Sequence, residues 1–262
     1  MTGITNGTLW GHRAKDWSLH QEATIATVFD AVLDRCGVRE ETRYLDIGCG
    51  AGLAAAKASA LGAIVTGLDA SHALLDIARS RLPAATFEVG DLQALPFGSG
   101  EFDVISSFNA IQCAGDVAQA LSEVRRVLAP GGTVAIVTWG EPDGMEAASV
   151  VAALKPLLPP PPPGAPGPFA LSDDALLRKF VEAGGLEAYE VFDVASPWRY
   201  PDEPAALAGL ASSGVAAKAI DHAGADAVDR AHESAIAPFR QPDGSIEIGA
   251  TFKVVLAKRS QE

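Results

Sequence analysis

The residues best able to do chemistry together in this chain are three aspartates and three glycines. Gly48, Gly50 and Gly52 alternate in the stretch Tyr44-Leu45-Asp46-Ile47-Gly48-Cys49-Gly50-Ala51-Gly52, and Asp46 stands two residues ahead of the first. Glycine there lets a turn take φ > 0 and lets a ligand approach bare backbone. A helical pattern follows at once, so unpaired N–H groups at its start face an oxygen-rich or anionic group. Asp69 lies about twenty residues beyond the turn, a spacing at which an acid accepts both ribose hydroxyls in nucleotide-binding α/β folds. Asp91 follows the next apolar run, ahead of the loop Leu92-Gln93-Ala94-Leu95-Pro96-Phe97. A carboxylate in that place can accept an adenine amino group while the apolar loop walls the ring. The chemistry implied is the holding of a nucleoside-like ligand.

Those residues need strands that end at them. Tyr44–Ile47 reads as a buried strand, Leu53–Leu61 as a helix, and Ala63–Asp69 as a second strand. Ser71 is a competent cap for a helix over Ala73–Leu82, which leaves Asp69 free for a ligand. Further strands are expected at Thr86–Val89, Phe102–Phe108 and Thr133–Trp139, with an amphipathic helix over Asp116–Leu128 between the last two. Alternating strands and helices imply a parallel, doubly wound α/β sheet. Asp103, beside the fourth strand, is expected to be structural. Beyond Trp139 come the proline run Pro159–Pro163, expected as a stiff connector, a helix capped by Ser172, and a strand over Glu187–Ala195. Residues 197–240 read as an alanine-rich helical insertion, and Ile246–Ala257 as a closing strand. Near the start, Trp10 and Trp17 fall on one helical face, ahead of an amphipathic helix over Gln21–Cys36.

Composition removes several classes of function. A net charge of −13 opposes binding to a phosphate backbone, so no nucleic-acid partner is expected. No apolar run is long enough to span a membrane, and the first ten residues lack the apolar core of a secretory signal. Three scattered cysteines (Cys36, Cys49, Cys113) fit a reduced, cytoplasmic setting better than a disulfide framework. No metal-ligand spacing is present.

The turn has G-x-G-x-G, with Leu53 where a dinucleotide fingerprint wants glycine. With the segment Gly90-Asp91-Leu92-Gln93-Ala94-Leu95-Pro96-Phe97 and the turn Leu128-Ala129-Pro130-Gly131-Gly132, the chain resembles a class I S-adenosylmethionine (SAM)-dependent methyltransferase acting on small molecules. The resemblance covers Thr42–Trp139 in detail and the remainder in outline. It implies a Rossmann-like, mostly parallel sheet with an antiparallel last strand and a helical substrate cap. The division expected is an N-terminal arm or lid over 1–37, the cofactor domain over 38–196 and 241–262, and the cap over 197–240. The cofactor is expected at Asp46, Gly48, Gly50, Asp69, Ala70, Asp91, Leu92 and Asn109, with Trp17 and Arg13 reaching it from the arm. A face of Trp17 against a sulfonium would add cation–π attraction, and Arg13 is a charge-assisted donor for the methionyl carboxylate. Gln112, His20 and Trp139 are expected to face a partly apolar small-molecule acceptor. No residue stands out as a catalytic base, since methyl transfer can run on positioning alone. The alternatives are a non-catalytic or cyclase-type protein on the SAM fold and, disfavoured by Leu53 and Asp91, an NAD-dependent oxidoreductase.

Overall fold

The computed structural model describes residues 2–161 and 166–259. The arm comes first: α1 (Thr2–Gly11), a short α2 (Ala14–Asp16), a π turn over Trp17–Gln21, a 3-10 turn over Glu22–Ile25, and α3 (Ala26–Arg35). The expected Gln21–Cys36 helix is therefore regular only from Ala26. The chain also bends between Gly11 and Ala14, so Trp10 and Trp17 sit on separate helices. They meet nonetheless, edge to face at 4.9 Å.

The alternating part follows: β1 (Arg43–Ile47), α4 (Leu53–Ala60), β2 (Ile64–Asp69), α5 (His72–Arg81), β3 (Thr86–Val89), β4 (Phe102–Phe108), α6 (Val117–Val127) and β5 (Leu128–Trp139). Each helix has a local cause. In α6 the apolar residues Ala120, Leu121, Val124 and Val127 recur on one buried face, and Asp116 caps its start by accepting from Gln119 N at 3.0 Å. Ser71 caps α5 in the expected way, through Leu74 N.

Next come α7 (Glu146–Ala153), α8 (Asp174–Glu182), β6 (Leu186–Ala195), β7 (Trp198–Tyr200), α9 (Glu203–Leu210), α10 (Gly214–Ala223), α11 (Ala225–Ile236), β8 (Ile246–Ile248) and β9 (Thr251–Arg259). Two expectations need correction here. The cap of α8 is Asp173, whose side chain accepts from Leu176 N, and not Ser172. The closing strand is two strands, because the chain changes partner at Gly249-Ala250: β8 pairs with β7, and β9 with β5 and β6. Pro162 and Pro163 of the proline run lie outside the described residues, as does the end of the cofactor domain at 260–262.

The main sheet has the order β3-β2-β1-β4-β5-β9-β6. β9 alone runs against the direction of the other strands, so the mostly parallel sheet with an antiparallel last strand is as expected. Alternation along β1 sends Tyr44 to the face covered by α3, α4 and α5, and Leu45 and Ile47 to the face covered by α6 and α8. The sheet order reverses between β1 and β4, the topological switch point at which open α/β sheets bind ligands. No helix among the described residues is long and apolar enough to cross a membrane.

Candidate active site

The glycine turn leaves β1 with Gly48, Gly50 and Gly52 at φ of 71°, 55° and 81°. These left-handed values explain the glycines, since side chains with a Cβ are strained there. The turn is pinned when Gly48 N and Cys49 N both donate to Leu68 O, at 2.7 and 3.1 Å. Gly48 abuts the turn after β4: a Cβ on it would come within 2.3 Å of Ala110 Cβ. Gly50 faces the arm, with Trp17 Nε1 3.5 Å and Glu22 Oε1 3.9 Å from where its Cβ would be.

Asp46 is 1% exposed at the carboxyl end of β1. Register places it beside Ser106 on β4, whose hydroxyl donates to Asp46 Oδ1 at 2.8 Å. Tyr44 Oη lies 2.5 Å from the same hydroxyl, completing a buried relay of two donors. Burial pushes the Asp46 carboxyl up to about 7, against the pull of the Ser106 hydrogen bond, and the charges of Glu22 and Asp69 push the same way.

Asp69 ends β2. Its Oδ2 accepts from Gly50 N at 2.9 Å and its Oδ1 from Ser71 N at 2.8 Å. It is thus tied to the glycine turn rather than free, but each oxygen keeps acceptor capacity, since a carboxylate offers about four lone-pair sites. Burial raises its pKa, and the backbone N–H bonds oppose the rise. Asp91, after β3, accepts from Gln93 N and Nε2 through Oδ1, and from Gly3 N at 3.3 Å through Oδ2. The Gln93 N–H is the main cause of its lowered pKa.

Helix α1 therefore lies across the ends of β2 and β3. Its approach is close: a Cβ on Gly7 would stand 2.2 Å from Ala70 O, so only glycine fits. A groove of about 530 Å3 runs between α1 and these strand ends, lined by Gly3, Gly7, Ala70, Ser71, Gly90 and Asp91. Leu92, half-buried, packs on the α6 side of the sheet.

Asn109 takes φ of 50° in the turn after β4, and its Oδ1 accepts from Gln112 Nε2 at 3.3 Å. Gln112 Oε1 and Trp17 Nε1 are buried with no hydrogen-bond partner among the described residues. Arg13 pairs with Asp16, three residues on, at 2.7 Å. Asp103 lies at the start of β4, where its carboxylate holds Arg43. His20 and Gln21 pack on Gly209 of α9, and Tyr200 Oη donates to Gln21 Oε1 at 2.8 Å. Trp139, at the end of β5, stacks on Phe252 at 4.9 Å with Phe169 and Trp198 edge-on. The structure thus brings Asp46, the glycine turn, Asp69 and Trp17 together. Asp91 and Leu92 lie one strand further, and Trp139 with His20 lies on the side of α9. No group of His, Cys, Asp and Glu able to hold a metal is present among the described residues.

Sequence reasoning missed Glu22 and Arg81. Glu22 is 4% exposed, caps α4 through Leu53 N at 3.0 Å and pairs with Arg81 at 2.6 Å. No local pattern marks either residue, because Glu22 lies in the 3-10 turn ahead of α3 and its partners come from α4 and α5.

Residues 45–136 match the model of a methyltransferase domain. The chain is 35% identical over 129 residues to malonyl-[acyl-carrier protein] O-methyltransferase of Pseudescherichia vulneris, a stretch covering 49% of this chain and 51% of that protein. It is 39% identical over 109 residues to the protein of the same name from Salmonella typhimurium, covering 42% and 43%. The chain thus spans about half the length of the curated relatives it matches. Among solved structures, the [4+2]-cyclase SpnF superposes with a TM-score of 0.58 at 22% identity, over 90% of this chain and 81% of that one. At that identity the likeness speaks for the fold. The strand ends, the glycine turn and the matched domain together place in this chain a class I S-adenosylmethionine-dependent methyltransferase domain, a family whose cofactor is SAM.

Proposed function

We propose that the protein binds SAM at the ends of β1, β2 and β3 and transfers its methyl group to a small, partly apolar acceptor. One observation carries this most: three adjacent parallel strands each carry an aspartate at or within two residues of the carboxyl end, and the first of them runs into a turn of bare glycine backbone. The residues present fit the cofactor. Trp17 Nε1, beside the turn, is a buried donor and Gln112 Oε1, after β4, a buried acceptor, both without a hydrogen-bond partner among the described residues, which suits a ligand end bearing both a carboxylate and an ammonium group. Asp69 offers its remaining acceptor capacity to ribose hydroxyls, and Asp91, with Leu92, offers its to the adenine edge. When bound, SAM supplies an activated methyl group on a sulfonium. The chain's own part is to orient and to keep water out. Trp17 and α1 roof the cofactor side as a lid, and α9–α11 form the cap on the acceptor side, where Trp139, Phe169 and Trp198 give apolar walls.

The test is incubation with methyl-labelled SAM and a metabolite extract, followed by mass analysis. Labelled small-molecule product is the expected result. Tight binding of SAM without any labelled product would favour a non-transferring use of the cofactor, and binding of NADH in place of SAM would overturn the proposal.

A further inference from the structure

In α/β folds the helix after the first glycine turn is the usual seat of a phosphate, because its first N–H groups and its dipole favour an anion. In this chain that seat is already taken. Glu22 Oε1 accepts from Leu53 N, the first residue of α4, at 3.0 Å. Its other oxygen pairs with Arg81 NH1 at 2.6 Å. The guanidinium is held from two further directions, by Ala51 O at 2.6 Å and Ser18 Oγ at 3.0 Å, so Arg81 keeps its place independently of Glu22. The Glu22 carboxylate is buried, beside Gly50 on the ligand side of the turn.

We infer that Glu22 is a specificity-determining residue: its carboxylate fills the anion seat at the start of α4, excludes phosphate-bearing nucleotides from the glycine turn, and leaves the turn to a cofactor with a cationic end. The electrostatics follow from the positions. A phosphate brought to the turn meets Glu22, Asp46 and Asp69 with the helix N–H already used, and like charges at such distances repel strongly in a water-poor site. A sulfonium meets the carboxyl groups of Glu22, Asp46 and Asp69, and the guanidinium of Arg81 is already paired with Glu22. Leu53 removes the third glycine of a dinucleotide fingerprint, and Glu22 removes the phosphate seat. The cationic-cofactor half rests on the proposed function; the filled anion seat does not.

The experiment separates the two. Full-length wild type, Glu22→Ala and Glu22→Gln are melted without cofactor across a pyrophosphate titration at constant ionic strength. Pyrophosphate should raise the melting temperature of Glu22→Ala saturably, by about a few degrees, because Arg81 and the Leu53 N–H are left without their anion. Acetate should do the same, and wild type should respond to neither. A wild-type response equal to that of Glu22→Ala, or no saturable response in Glu22→Ala, would overturn the assignment. Should Glu22→Ala fail to fold, Glu22→Gln decides: it keeps the acceptor for Leu53 N and loses the charge. Its affinity for SAM should then fall by roughly fivefold more than its affinity for the demethylated cofactor, which lacks the sulfonium charge. An equal fall for both would mean that Glu22 only holds the arm in place. Wild type that binds neither SAM nor its demethylated product would sink the proposed function while leaving the pyrophosphate result intact.

Discussion

Asp46→Asn should make the protein more stable and less able to bind its cofactor, with a stability gain that grows with pH. Asp46 is buried, and its carboxyl moves from 3.8 to about 7 on folding. An acid whose folded pKa is raised costs nothing below its unfolded value. The cost grows as pH climbs from 3.8 and levels off above about 7. A gap of about 3 pH units, at about 1.4 kcal/mol per unit, sets the cost at pH 8 to at most about 4 kcal/mol. At pH 5 the same arithmetic gives under about 2 kcal/mol. Asparagine has the same shape, keeps the acceptor for the Ser106 hydroxyl and carries no charge to desolvate. Urea unfolding of both proteins at pH 5 and pH 8, without ligand, should therefore show a gain larger at pH 8 by about 2–3 kcal/mol. Calorimetry at pH 8 should show weaker SAM binding by the variant. A stability difference that does not change between the two pH values would refute the reasoning, because it would mean that Asp46 does not titrate in that range.

Three further outcomes are expected. Asp69→Ala should lower SAM affinity at least about tenfold, since hydrogen bonds to a charged group contribute about 1.5–3 kcal/mol each; it also strips Gly50 N and Ser71 N of their acceptor, so its melting temperature should fall too, and unchanged affinity in a folded variant would return Asp69 to a purely structural role. Amides of α1 should exchange more slowly when the demethylated cofactor is bound, and equal protection in both states would make the arm plain packing. Tyr200→Phe should cost about 1–3 kcal/mol in unfolding free energy, because Gln21 Oε1 loses its buried donor, and a neutral result would show that water reaches that joint.

What the sequence made legible is what local spacing decides. The strand–turn–helix at Asp46 to Gly52, the cap at Ser71 and the apolar face of α6 each depend on residues within a few positions, and each is found in place. The α8 cap was misassigned because Ser172 and Asp173 are adjacent and chemically equivalent in one dimension; the backbone at Asp173 is the extended one that caps require. The split between β8 and β9 was invisible for a different reason. A run of β-formers shows no change of partner, and only pairing with β7 interrupts this one. Glu22 lies further out of reach, since its two partners stand 31 and 59 residues away. Ser106, which supports Asp46 from 60 residues away, was lost in the apolar run of β4 for the same reason. Long-range polar pairs leave no period in a sequence.

The arm contacts both halves of the proposed site within about two dozen residues. Gly3 donates to Asp91, Gly7 presses on Ala70, and Asn6 donates to Cys113 O after β4. Trp10 packs on Gly214 at the start of α10, Gln21 binds Tyr200, and Glu22 closes the start of α4. These contacts are unequal in strength. Those before Trp17 are single neutral donors, one N–H to a carboxylate, and apolar packing. Those after it include a buried charge-assisted pair and a buried hydroxyl bond, each costly to break. A lid motion of α1 would therefore pivot between Gly11 and the π turn at Trp17–Gln21, where the helix is already irregular, with Glu22 and Gln21 staying on the domain. Opening on that pivot would uncover the adenine side at Asp91 and part Trp10 from the start of α10, while leaving the Gln21–Tyr200 joint to β7 intact. The proposed acceptor cap would then lose its contact with α1 as the cofactor exchanges and keep the one made through Gln21.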